Sequence, residues 1–253
     1  MNASVEGVPL NDILVFPFRD SQSVRRFLPL AALGLAGFVI PILPGLFSSG
    51  YLMRILQRAI REGKVEMPEW SDETRLLTDG ILSTLIGLIY LLPGAATMIA
   101  GMILYQVSLF LIIPFLNSAE DVTMFAIFLP MIILTACITI GMILLWLGSI
   151  PLPVALCRYA DEGRFGAAFG FGDIFRALKA NPVGYFAAWV VVLGLFYLQY
   201  FVFMLLYFTV ILCCPGYVLL MIGIVAASCV FLAMVGLAYR QGKAAANAGP
   251  QAP

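Results

Sequence analysis

The hydrophobic positions of this chain fall into long runs, not short alternations. Apolar residues dominate 27–53, 80–157 and 183–239, and polar islands separate the runs. Runs this long and this poor in charge read as membrane-spanning helices, each needing about 20 residues to cross a hydrocarbon layer of about 30 Å. The first run is basic at both ends. It crosses twice if Pro41-Ile42-Leu43-Pro44-Gly45 is an outer turn between helices over 22–40 and 46–62; a re-entrant hairpin is the alternative. The second run has Asn117-Ser118-Ala119-Glu120-Asp121 at its middle, acid without base, which places that loop outside. Residues 81–116 are then one long helix bent at Pro93-Gly94, or a short dip followed by a helix, and 122–147 returns. Pro151 and Pro153 break the returning helix. In the third run two crossings meet at a Cys213-Cys214-Pro215-Gly216 outer turn. The pattern predicts an all-α polytopic membrane bundle of about six transmembrane helices, or eight if Pro93-Gly94 is a true outer turn.

The polar stretches add shorter elements. Residues 1–9 are expected to lack order, and 10–18 to lie on the cytoplasmic face or pack as a loop. Arg58-Ala59-Ile60-Arg61-Glu62-Gly63-Lys64 closes a helix, with cations at its C-terminal end and Gly63 as its stop. Pro68 keeps Met67 extended. Ser71 is the expected cap of the next helix, and Trp70 sits where an interfacial aromatic belongs. In the second island Phe171, Ile174, Phe175 and Leu178 recur at helical spacing, and Asn181-Pro182 ends the repeat. That helix is too short to span, so it should lie along the inner leaflet. The domain organisation is therefore an N-terminal cytoplasmic or interfacial segment (1–21), a membrane domain (22–240) and a flexible C-terminal tail (241–253).

Composition removes the soluble alternative. Of 253 residues 62% are hydrophobic and 11% charged, against about 25% charged in soluble domains. Mean hydropathy is +1.01. Fourteen basic and fourteen acidic residues cancel, but no Lys or Arg lies between Arg75 and Arg158 or between Lys179 and Arg240. Cations of short loops stay cytoplasmic, so every basic cluster and both termini are placed inside. The chain has no histidine, the usual proton shuttle and commonest metal ligand. Its five cysteines show no C-x-x-C spacing and read as small buried hydrophobes.

The two islands echo each other. Arg58 and Arg158, Glu62 and Glu162, Gly63 and Gly163, and Lys64 and Arg164 fall at one offset. This suggests two weak repeats within the membrane domain, 22–116 and 122–239, running parallel and not inverted. Several pieces also stand in a specific order: Gly50-Tyr51-Leu52-Met53-Arg54, Pro68-Glu69-Trp70, Asp79-Gly80, Arg158-Tyr159-Ala160-Asp161-Glu162-Gly163, Asn181-Pro182-Val183-Gly184-Tyr185 and Gly236-Leu237-Ala238-Tyr239-Arg240. In that order the chain resembles the prokaryotic integral-membrane family catalogued as domain of unknown function 4013, from about residue 10 to 240. The resemblance implies a multi-pass protein of a prokaryotic plasma (inner) membrane. It implies no activity, cofactor or catalytic residue.

Candidate chemistry is sparse. No carboxylate or histidine falls near the middle of a proposed span, and no Ser/Lys, Asp/Asp or zinc-binding arrangement is present. Gly166–Gly172 is glycine-rich, but no GK[ST] follows it. No catalysis, cofactor or metal is expected, and no nucleic-acid partner. The expected role is a non-enzymatic scaffold or accessory subunit that engages lipids, anionic ones included, or membrane proteins, or a second copy of itself. The alternative is a permease for a neutral or lipidic cargo, lined around Gln106 and Gln199. Candidate lipid- or partner-binding residues are Arg58, Lys64, Trp70, Arg158, Arg164, Arg176 and Lys179, a basic rim at the inner leaflet.

Overall fold

The computed structural model describes residues 4–5, 8–40, 42–112, 120–209 and 212–247. Among them the chain is α-helical apart from one antiparallel pair of two-residue strands, β1 (Ser4–Val5) and β2 (Val8–Pro9). These strands fall in the stretch expected to lack order. The helices are α1 (Leu10–Val15), α2 (Ser21–Val39), α3 (Ile42–Glu62), α4 (Glu73–Ile112), α5 (Glu120–Ser149), α6 (Leu152–Glu162), α7 (Phe171–Ala180), α8 (Pro182–Phe208) and α9 (Cys213–Asn247). Single 3-10 turns cover Phe16–Phe18 and Phe165–Phe169. Four segments are long and apolar enough to cross a membrane: Glu73–Leu111, Phe128–Glu162, Pro182–Phe208 and Pro215–Ala246. The chain is thus a multi-pass membrane protein by length and composition of its helices. The α2–α3 pair, expected as the first two crossings, is not among the four.

The chain divides into two compact units. One comprises residues 1–86 and 153–253, and its core surrounds the C-terminal half of α9. There Val230, Ala233, Met234, Leu237 and Ala238 are buried. Helix α3 has two distinct faces. Tyr51, Ile55, Leu56, Ala59 and Ile60 are buried, while Arg54, Gln57, Arg58 and Arg61 recur at i, i+3, i+4 and i+7 on another face. Gly236 of α9 admits α3 closely, since a β-carbon there would press on Ala59 and Leu56. Helix α2 adds Phe27, Leu30 and Ala31 to the core. Ile13 and Phe16 are fully buried too, so the 10–18 segment is packed and does not lie free on a surface. A second close approach joins α3 to α4. A β-carbon on Gly50 would overlap the Leu76 carbonyl, and one on Gly80 would overlap the Leu46 carbonyl. The two backbones therefore touch at a glycine pair.

The other unit, residues 87–152, is a pair of long antiparallel helical stretches. Helix α4 runs unbroken through Pro93, so no turn forms at Pro93-Gly94. Gly94 is a packing glycine instead, set against the Gly141 carbonyl and Leu145 of α5. Gly101 meets Cys137 in the same way.

Other local expectations also shift. Ser71 does not cap α4; Asp72 precedes the helix at φ 50°, and the Ser71 hydroxyl accepts from Arg54. Ile42–Gly45 and Cys213–Gly216, expected as outer turns, begin α3 and α9. The tail expected from residue 241 is helical as far as Asn247. The loop expected outside at 117–121 lies outside the described residues up to 119.

Candidate functional site in the cationic layer

Both islands begin with the same device. Helix α3 stops at Gly63, φ 67°, and α6 stops at Gly163, φ 68°. Left-handed backbone suits glycine, which has no β-carbon to clash. At the second stop the Gly163 N–H donates to the Tyr159 carbonyl at 2.9 Å.

After Gly63 the chain runs without regular secondary structure to residue 72, alongside α3. Tyr51 and Trp70 hold it there. Their rings stack with centroids 4.2 Å apart, and the Tyr51 hydroxyl donates to the Pro68 carbonyl at 2.6 Å. Burial raises the cost of the tyrosinate and keeps this hydroxyl a donor. The Trp70 indole N–H donates to the Arg26 carbonyl at 2.8 Å, and Arg26 in turn binds the Met67 carbonyl and pairs with Glu69 at 2.6 Å. Arg54 donates to the Glu69 and Asp72 carbonyls and to the Ser71 hydroxyl. The result is a groove of about 290 Å³, lined by Arg54, Arg58 and Arg61 from α3 and by Arg75 from α4. Glu62, Glu69 and Asp72 also line it.

The second island is built from ion pairs. Arg158, only 12% exposed, pairs with Glu162 at 2.7 Å and with Asp173 of α7 at 2.9 Å, and it donates to the Gly170 carbonyl. Arg164 pairs with Glu162 and Arg176 with Asp173. Lys243 of α9 pairs with Asp161 at 2.6 Å. Helix α7 appears where its period places it, with Ile174 buried and Phe171 and Phe175 exposed. Asn181 follows it and caps α8, its side-chain oxygen accepting from the Gly184 N–H at 3.0 Å. The Asn181 amide also donates to the Ala238 carbonyl and Gln241 of α9.

The two islands meet. Arg61 donates to the Ala160 carbonyl at 3.3 Å, and the Tyr159 hydroxyl donates to Asp79 at 2.9 Å. Asp79 is 9% exposed. Its second oxygen has no hydrogen bond, and the nearest cation is Arg75 at 3.9 Å, a Coulombic contact only. The Arg240 guanidinium lies against Gly63. The island ends of α3, α4, α6, α8 and α9 thus gather in one cationic layer.

The seven candidate residues separate within this layer. Arg58 and Lys64 have no ion pair among the described residues, and Lys179 has none either. Trp70 is structural, clamped between Tyr51 and Arg26. Arg158, Arg164 and Arg176 are engaged by carboxylates. Sequence reasoning left Arg54, Arg61 and Arg75 out of the candidate residues, although the spacing of 54, 58 and 61 places them on one helical face. It also missed the Asp79–Tyr159 bond, for which no local signal exists.

A sequence profile described as a protein of unknown function (DUF4013) matches residues 33–214. The chain belongs to this family. The DUF4013 match takes in both islands and the Gly50–Gly80 crossing, and it stops short of the 10–240 extent that the resemblance suggested. Comparison with curated proteins gives no match, and comparison with solved structures gives none.

Proposed function

We propose that this DUF4013 protein works without catalysis in a prokaryotic plasma membrane, as a scaffold or accessory subunit. Its cationic layer faces the cytoplasm and engages anionic lipid or a membrane-protein partner. One observation carries this reading: Arg54, Arg58 and Arg61 of the first island have no ion pair among the described residues, Arg54 and Arg61 binding only neutral oxygens, so their charge stays uncompensated beside the start of a candidate span. Cations so placed hold a loop inside and attract anionic headgroups, at about 1 kcal/mol each near the surface. The exposed Phe171 and Phe175 of α7 supply an apolar footing at the same level.

In this reading four segments cross and the α2–α3 pair enters part-way. The uncharged stretch of α2, residues 27–39, rises about 20 Å against a hydrocarbon thickness of about 30 Å. Its tip is apolar and exposed, with Val39 at 79% and Ile42 at 72%, as suits lipid better than water. Gentle extraction with identification of bound lipids and proteins tests the function. Enrichment of anionic lipid or a constant partner is expected; a lipid complement equal to the bulk membrane, with no partner, would reject it. A cysteine at Ile40 tests the hairpin, and rapid labelling from outside would restore two full crossings.

A further inference from the structure

We infer that the groove between α3 and α4 is a binding site for a phosphate group. The inference rests on the proposed cationic layer and names its ligand chemistry. Arg54, Arg58 and Arg61 approach the groove from α3, and Arg75 approaches from the first turn of α4. A planar carboxylate is satisfied by one forked guanidinium. A tetrahedral phosphate accepts from several guanidinium groups arriving from different directions, and this groove presents several. Arg58 has no ion pair among the described residues, and Arg54 and Arg61 are held by carbonyls that leave their charge intact.

The acidic residues of the groove do not cancel this charge. Glu69 is neutralised by Arg26 at 2.6 Å. Glu62 and Asp72 stand against four guanidinium groups. Asp79 draws on part of the Arg75 charge from 3.9 Å and is not part of the lining. A net excess of one to two positive charges remains, which matches a phosphate mono- or dianion. The neighbouring cavity at the second island, about 330 Å³, makes the contrast: its Arg158, Arg176 and Lys243 are paired with Asp161, Glu162 and Asp173. The phosphate can come from a phospholipid headgroup or from a free anion in the cytoplasm.

The test uses the full-length protein in nanodiscs of phosphatidylcholine doped with phosphatidylglycerol, with retained lipids counted by native mass spectrometry. Phosphatidylcholine nanodiscs with inorganic phosphate, read by thermal unfolding, form the second arm. Wild type is expected to retain phosphatidylglycerol, and Arg58→Gln to weaken retention about fivefold or more. Arg19→Gln, exposed and outside the groove, should not change it. Protection by inorganic phosphate alone, lost in Arg58→Gln, would identify a free anion and uphold the site. Arg58→Lys, which keeps the charge, controls for folding and should restore part of the binding. Retention and melting unchanged in both Arg58→Gln and Arg54→Gln, with monodisperse protein, would overturn the site. Phosphatidylglycerol held instead through Lys179 or Arg176 would leave the functional reading standing without the groove; retention of neither lipid nor partner would remove both.

Discussion

Helices α3 and α6 both stop at a positive-φ glycine that follows a glutamate, yet the two glutamates behave differently. Glu162 holds Arg158 and Arg164, whereas Glu62 holds no cation among the described residues. The difference comes from what is packed alongside. At the second island α7 brings Asp173 and α9 brings Lys243, which complete a closed set of ion pairs. At the first island the irregular segment after Gly63, pinned by Trp70, offers carbonyl oxygens instead. Similar letters at one offset therefore produce a brace in one place and an open cationic groove in the other.

The sharpest way to break this comparison is at the glycine pair. Gly50→Val places carbon where the Leu76 carbonyl already sits, and should cost about 3 kcal/mol or more. Loss of the monodisperse species, or a large fall in Tm in detergent, checks it. Next is Arg158→Gln, which removes the part-buried cation shared by Glu162 and Asp173 and leaves them only Arg164 and Arg176, and should cost about 1–2 kcal/mol. An unchanged Tm would mean that the second island is no brace. Arg58→Gln should alter stability by less than about 0.5 kcal/mol while weakening phosphate retention about fivefold or more, the reverse of Arg158→Gln. The smallest effect concerns pH. Asp20 caps α2 by accepting from the Ser23 N–H at 2.5 Å, which lowers its pKa below the ordinary 3.8. A depressed folded-state pKa gives stability that is present above 3.8 and lost as pH falls through the folded value. The protection of the Ser23 amide, its exchange relative to the intrinsic rate at each pH, should therefore fall in acid, and Asp20→Asn should flatten that dependence.

Much of this architecture was legible in the chain. Gly63, the α7 period and the Asn181-Pro182 stop are all local, set by φ preference, side-chain spacing or a missing N–H. The site was less legible because its contacts are distant in sequence. Tyr159 reaches Asp79 across 80 residues, and Arg61 reaches Ala160 across 99. Hydropathy reports how greasy a helix is, not which way its faces turn. For that reason all basic residues looked alike, and only packing separated the engaged Arg158 from the open Arg58. Glycines misled for a related reason. Gly94 reads as a breaker beside Pro93, but its missing side chain serves a helix crossing.

The touching backbones at Gly50 and Gly80 have one more consequence. With no side chains between them to act as bearings, α3 and α4 sit backbone against backbone, and rolling or sliding there would drive one main chain into the other. Arg58 and Arg75 are thus mounted on a single stiff bracket, and an anion would find the jaw already set at its working width.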